Sequence, residues 1–199
     1  MKLLMMNTTS PYARIASVAL WEKGLRDIET RIVDPWGDTP ELLAANPAAR
    51  VPALVTDDGQ ILTESLLIVL WLEKTRPQPS LLGGDATGEV ARAGIAMGVI
   101  DAAVHTLIGR KTAGASFDES PVGLRRRRSM VESLKRIDSG TREPAKETPG
   151  LATITAIVVL DYVRFRFPGA GWMPRLDRLD HLRERMHGRP SIEGTMPHD

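Results

Sequence analysis

Apolar and polar positions alternate along this chain in two different rhythms. Leu3 to Met6 is a short apolar run of the kind a buried strand makes. Ser10-Pro11 follows it, with Ser a preferred N-cap and Pro suited to the first helical position. Ile15, Val18 and Ala19 then recur at helical spacing, and Gly24 is placed to close the helix. Ile28 to Val33 alternates as a strand, with Ile28, Thr30 and Ile32 on one face. Thr39 and Pro40 open a short helix. The runs Pro52–Thr56 and Gln60–Thr63 flank Asp57-Asp58-Gly59, a strong hairpin signal. A helix from about Ser65 to Thr75 ends at Arg76-Pro77. The order is β-α-β-α-β-β-α, with the first two strands parallel and the last two antiparallel.

Beyond the Pro- and Gly-rich stretch 77–86 the rhythm is helical throughout. Residues 89–110 carry small and apolar residues on most faces, as a helix packed among others does. In 121–138, Leu124, Val131, Leu134 and Ile137 are expected on the buried side. Residues 151–167 form the most apolar segment and the expected core of this half. In 174–190, Leu176, Leu179 and Leu182 are in register. The chain therefore divides into an α/β domain over 1–76, a linker over 77–86 and an all-helical domain over 87–199.

Composition narrows the chemistry. The 199 residues include no cysteine, which removes disulfides, thiolate metal sites and a protein thiol nucleophile. Net charge is +1, so nothing draws the whole molecule to nucleic acid or to an anionic membrane. The Arg125–Arg128 run spreads around a helix and reads as a solvated face. Four histidines, all after position 100, give no metal-binding spacing. No apolar run approaches the roughly 18–20 residues of a membrane span, and Leu3–Met6 is too short for a signal sequence. A soluble, cytoplasmic protein is expected, with no metal.

Three segments of the first domain are the candidates for function. TSPYAR (Thr9–Arg14) stands at a strand-to-helix turn, NPAARVPAL (Asn46–Leu54) puts Val51-Pro52 just before a strand, and TESLLIVLWLE (Thr63–Glu73) puts Glu64-Ser65 at a helix start. In this order and spacing, with a helical second half, they resemble the glutathione transferase superfamily. That family joins a thioredoxin-like N-terminal domain to an all-helical C-terminal domain. DYVRFRFPGAGW and RPSIEGTMP near the end look like a bacterial, YibF-like branch of it.

The resemblance implies glutathione as cosubstrate. It implies a cis Val51-Pro52 bond that exposes the Val51 backbone to the cysteinyl unit as an added strand would. The helix start at Ser65 would meet the γ-glutamyl carboxylate, and Glu64 the ammonium beside it. Arg50 stands where a basic residue approaches the glycyl carboxylate, with Trp36 a neighbour. Ser10 is the leading hydroxyl for stabilising the thiolate, Thr9 the alternative and Thr8 a weaker one. The electrophile site is expected between the domains, near Tyr12, Trp36, His105 and Trp172. Tyr12 reads as a packing residue rather than a catalytic phenol.

The expected activity is addition of glutathione to a small electrophile, as in detoxification, by a homodimer. The alternatives are a binding or regulatory protein without turnover, and a glutathione-dependent isomerase, lyase or dehalogenase. One departure stands out. The family's core helix begins with a Ser/Thr-x-x-Asp capping box, and here the match is Thr153-Ile154-Thr155-Ala156. Either Thr153 caps alone or the helix starts elsewhere, and the loop 138–152 before it is expected to be altered.

Overall fold

The structure, a computed structural model, describes residues 1, 3–142 and 148–198. The chain divides into two compact units, Met1–Leu81 with Gly188–Asp199, and Leu82–His187.

In the first unit the elements are β1 (Leu3–Met6), α1 (Pro11–Glu22), β2 (Glu29–Ile32), α2 (Pro40–Ala45), β3 (Ala53–Val55), β4 (Ile61–Thr63) and α3 (Ser65–Thr75). The sheet order is β2-β1-β3-β4, with β1 and β2 parallel and the other two pairings antiparallel. This is the thioredoxin-like arrangement of a glutathione-transferase N-terminal domain. Ser10 caps α1 by accepting from the Ala13 amide, and Gly24, at φ 75°, follows its last turn. α1 packs on α3 and buries Ile15, Val18 and Leu20, while α3 contributes Ile68, Val69 and Leu72. Burying each such side chain is worth about 1.5–3 kcal/mol.

β2 is an edge strand, and all four of its residues are exposed. The expected face of Ile28, Thr30 and Ile32 exists, but it lines an open groove of about 250 Å³ with Met6, Trp21 and Met196.

The segment from Gly188 on, read from sequence as part of the helical domain, packs in the first unit. Its short helix α8 (Pro190–Glu193) lies on α1. Arg189 forms a two-pronged ion pair with Glu22 at 2.6 and 2.7 Å. Gly194 lies against the Trp21 ring, where an added Cβ would come within 2.8 Å. At the same end of α1, its C-cap Lys23 has a fully buried side chain whose ammonium donates to the carbonyls of Arg76 and Pro79 and pairs with Glu73.

The second unit contains α4 (Ala86–Ala113), a 3-10 turn (Gly114–Glu119), α5 (Pro121–Gly140), α6 (Leu151–Arg166) and α7 (Asp177–Arg185). α6 is the core helix, with Ile154, Ile157, Val158, Val159 and Leu160 fully buried. Leu176, Leu179 and Leu182 are buried as expected. On α5, Leu134 is buried as expected and Val131 and Ile137 are half-buried, with Gly123 and Met130 also inside, whereas Leu124 is 45% exposed. Gly123 lies so close to the turn before α5 that an added Cβ would come within 2.1 Å of the Phe117 carbonyl oxygen.

α6 begins at Leu151, two residues before Thr153, so Thr153 does not cap it. A carboxylate from α4, that of Glu89, receives the Ala152 amide instead. Of the loop 138–152, residues 143–147 lie outside the described residues.

The helical stretch Ala86–Glu119 is long and apolar enough to span a membrane by length and composition alone. Its apolarity comes largely from alanines and glycines, and Ala93, Ala96, Val99, Ile100 and Ala103 are packed inside this unit.

Candidate functional site

Strand register brings the three segments to one end of the sheet. Met5 pairs with Ala53, and Ala53 pairs with Thr63. The turn after β1, the Val51-Pro52 bond before β3 and the helix start after β4 therefore lie side by side.

Asn7 builds the first turn. Its side-chain amide donates to the Val33 carbonyl at 3.2 Å, and its Oδ1 accepts from the Thr9 amide and the Thr9 hydroxyl at 3.0 and 2.7 Å. Its carbonyl accepts from the Ser10 amide at 3.0 Å. The Thr9 hydroxyl thus spends its hydrogen on Asn7. The Ser10 hydroxyl accepts from the Ala13 amide at 3.2 Å and donates to no described residue, so its hydrogen is available to an incoming anion. That anion would also sit at the N-terminus of α1, where the helix dipole favours negative charge.

Asn46 builds the second segment. Its side-chain amide donates to the Arg50 carbonyl at 2.8 Å, its Oδ1 accepts from the Ala48 amide at 3.1 Å, and Ala49 sits at φ 52°. The Val51-Pro52 bond is cis. Val51 is buried, and Arg50 is exposed and donates to Glu64 at 2.8 Å. Both partners of that pair are well exposed, so it contributes only about 0–1 kcal/mol.

The third segment holds two unfavourable features together. Glu64 has φ 65°, a left-handed conformation uncommon outside glycine, and makes no side-chain cap on α3. Ser65, 2% exposed, has a buried hydroxyl with no hydrogen-bond partner. Stranding a buried polar group costs about 1–3 kcal/mol. A carboxylate placed at this helix start would be offered that hydroxyl and the first free amides of α3.

The other expected residues are distributed as follows. Tyr12 is half-buried on α1, and Trp36, 60% exposed, follows β2 with its amide on the Asp34 carboxylate. His105 is exposed on α4 of the second unit. Trp172 stacks edge-on against Phe167 at 5.4 Å, and the Arg110 guanidinium lies over the other ring at 4.9 Å from its centre. Arg110 is paired with Asp118, and that hydrogen bond holds the Asp118 carboxyl below its usual range. Asn7 and Asn46 were missed from sequence. Their signal was an Asn two residues before the amide that it receives, the Asx-turn spacing. Among the described residues, no group of three or more His, Asp or Glu could hold a metal ion.

Comparison with known proteins agrees with this geometry. The family model described as glutathione S-transferase, N-terminal domain, matches residues 9–75. The chain is 32% identical to a glutathione S-transferase of Methylobacterium radiotolerans, solved in complex with glutathione sulfonate. That match has a TM-score of 0.88 and covers 99% of this chain and 95% of the other. It is 29% identical to the uncharacterized GST-like protein YibF of Escherichia coli over 95% of both chains. It is also 32% identical to the maleylacetoacetate isomerase of Pseudomonas aeruginosa, over 50% of this chain and 48% of that enzyme. This chain belongs to the glutathione S-transferase superfamily.

Proposed function

We propose that the protein binds glutathione at the three-segment end of the sheet and adds its thiolate to a small electrophile. The observation that carries this reading is the buried, unpartnered Ser65 hydroxyl beside Glu64 at a helix start. It suits the γ-glutamyl carboxylate, with Glu64 beside the ammonium and Arg50 toward the glycyl end. The Val51 backbone, ahead of its cis bond, suits the cysteinyl unit. The glutathione sulfonate bound by the Methylobacterium relative supports the same ligand class.

Ser10 takes the catalytic role and Thr9 is the alternative. A free thiol has a pKa of about 8.5, so little of it is thiolate at neutral pH. A hydroxyl hydrogen bond and the helix dipole both favour the charged form. Tyr12, Trp36 and His105 are proposed for the electrophile.

The protein acts in this proposal as a cytoplasmic homodimer, and Leu67 and Leu70, 60% and 40% exposed on α3, are candidates for the interface. Light scattering at micromolar concentration is expected to return twice the chain mass. A monomer mass would overturn the dimer.

A second reading, glutathione-dependent isomerisation, is favoured by the likeness to the Pseudomonas isomerase. The deciding experiment is calorimetry with glutathione followed by a panel of chromophoric electrophiles and unsaturated diacids. Transfer consumes glutathione mole for mole, isomerisation returns it, and binding without turnover leaves a binding protein. Absence of glutathione binding would overturn all three.

A further inference from the structure

The C-terminal segment runs along α1 from its last turn to the turn before its first. Ser191 and Arg189 hold Glu22 at the far end. About one turn in from the near end, the Arg14 guanidinium donates to the Ile192 carbonyl at 3.1 Å, the Thr195 hydroxyl at 3.2 Å and the Met196 sulfur at 3.3 Å. Beyond the helix, the Thr8 hydroxyl donates to the His198 carbonyl at 2.9 Å. Ser10 lies between these last two attachments. Its own carbonyl accepts from the Arg14 amide at 3.0 Å, so one residue holds Ser10 by its backbone and the tail by its side chain.

From this bracketing we infer that the tail is a splint for the Ser10 turn, with Arg14 and Thr8 as positioning residues. The inference rests on the proposed role of Ser10 toward the glutathione sulfur. Arg14 is 3% exposed, and a buried guanidinium with several fixed acceptors leaves the first turn of α1 little freedom. Hydrogen-bond donors to a reacting anion must be held to about half an ångström, and a displacement near 1 Å can lower rates by about a hundredfold. Neither side chain belongs to the segments that would hold the peptide ends, so loosening the splint should leave glutathione bound.

Four variants of the full chain test this: Thr8→Val, Thr8→Ser, Thr195→Val and Arg14→Met. The thiolate absorbance of bound glutathione is titrated against pH, with affinity and kcat measured alongside. Thr8→Val and Thr195→Val are near-isosteric and guard against Arg14→Met failing to fold. The expected result is a titration midpoint moved to higher pH in Thr8→Val, Thr195→Val and Arg14→Met. In these three kcat should fall by about tenfold or more, glutathione Kd should stay within about twofold, and Thr8→Ser should restore the wild-type midpoint. An unmoved midpoint in the folded tail-side variants overturns the splint, even if Thr8→Val alone moves it, because Thr8 would then act directly. Ser10→Ala separates the two levels. If it moves the midpoint while the tail variants do not, only the splint fails; if it does not, the catalytic reading fails and the splint with it.

Discussion

Glu89 on α4 accepts a hydrogen bond at 2.7 Å from the backbone amide of Ala152, at the start of α6. The core helix of the second unit is thus capped by a neighbouring helix instead of by its own sequence. The same carboxylate pairs with Arg92 at 2.8 Å, and it occupies the space beside Gly150, where an added Cβ would lie 2.5 Å from its oxygen.

Removing this cap should destabilise the protein. Glu89→Ala is expected to lower unfolding free energy by about 1–2 kcal/mol, the usual range for a lost cap. Glu89→Gln keeps an acceptor oxygen and should recover part of it. Gly150→Ala should also destabilise, by displacing the carboxylate. Urea unfolding of the three variants checks this, and an unchanged midpoint in Glu89→Ala would show that the amide finds another acceptor.

Ser65→Ala should separate stability from binding. The hydroxyl has no partner among the described residues, so its removal is expected to leave stability unchanged or raise it by about 1 kcal/mol. Glutathione affinity should fall about tenfold or more. Calorimetry and thermal melts on the same preparation give both numbers.

Ser10→Ala is expected to lose most turnover while retaining glutathione, and to lower stability by about 0.5–2 kcal/mol through loss of the cap to Ala13. The thiolate titration of bound glutathione should shift to higher pH. A stability loss with no such shift would leave Ser10 a cap alone and pass the role to Thr9.

Acid stability should depend on Glu73. Burial pushes its carboxyl up, but hydrogen bonds from Lys23, the Leu81 amide and Ser80 outweigh that and hold it below its ordinary value. A carboxylate whose pKa is lower in the folded state contributes stability above its unfolded pKa of about 4.3, and that stability is lost as pH falls through the folded value. Glu73→Gln is therefore expected to destabilise at neutral pH, and to flatten the stability profile below about pH 4.5. Chemical unfolding at stepped pH checks both features.

The fold was legible because its signals are local. Ser10-Pro11, Gly24, Asp58-Gly59 and Glu64-Ser65 each mark a boundary by their own backbone chemistry, and each boundary falls where expected. The three candidate site segments stood out by their resemblance to the family's motifs, and strand register brings them to one end of the sheet. What escaped were relationships across long sequence separations. Nothing near Ala152 announces that Glu89 will cap it, and nothing near Ser10 announces that Thr195 and His198 lie beneath its turn. On α5, Leu124 was misplaced because it looks like a core residue. The close approach of Gly123 to the Phe117 carbonyl, which leaves no room for a Cβ, was equally invisible in the sequence.

The contact between Gly194 and Trp21 turns the tail into something that can be watched. Of the four tryptophans, Trp21 has its ring against Gly194 of the C-terminal segment. With Trp36, Trp71 and Trp172 replaced by phenylalanine, the remaining indole would emit from a sheltered surface while the segment is seated and from water once it lifts. A steric detail of one glycine then becomes an optical report on whether the segment is seated, independent of any substrate.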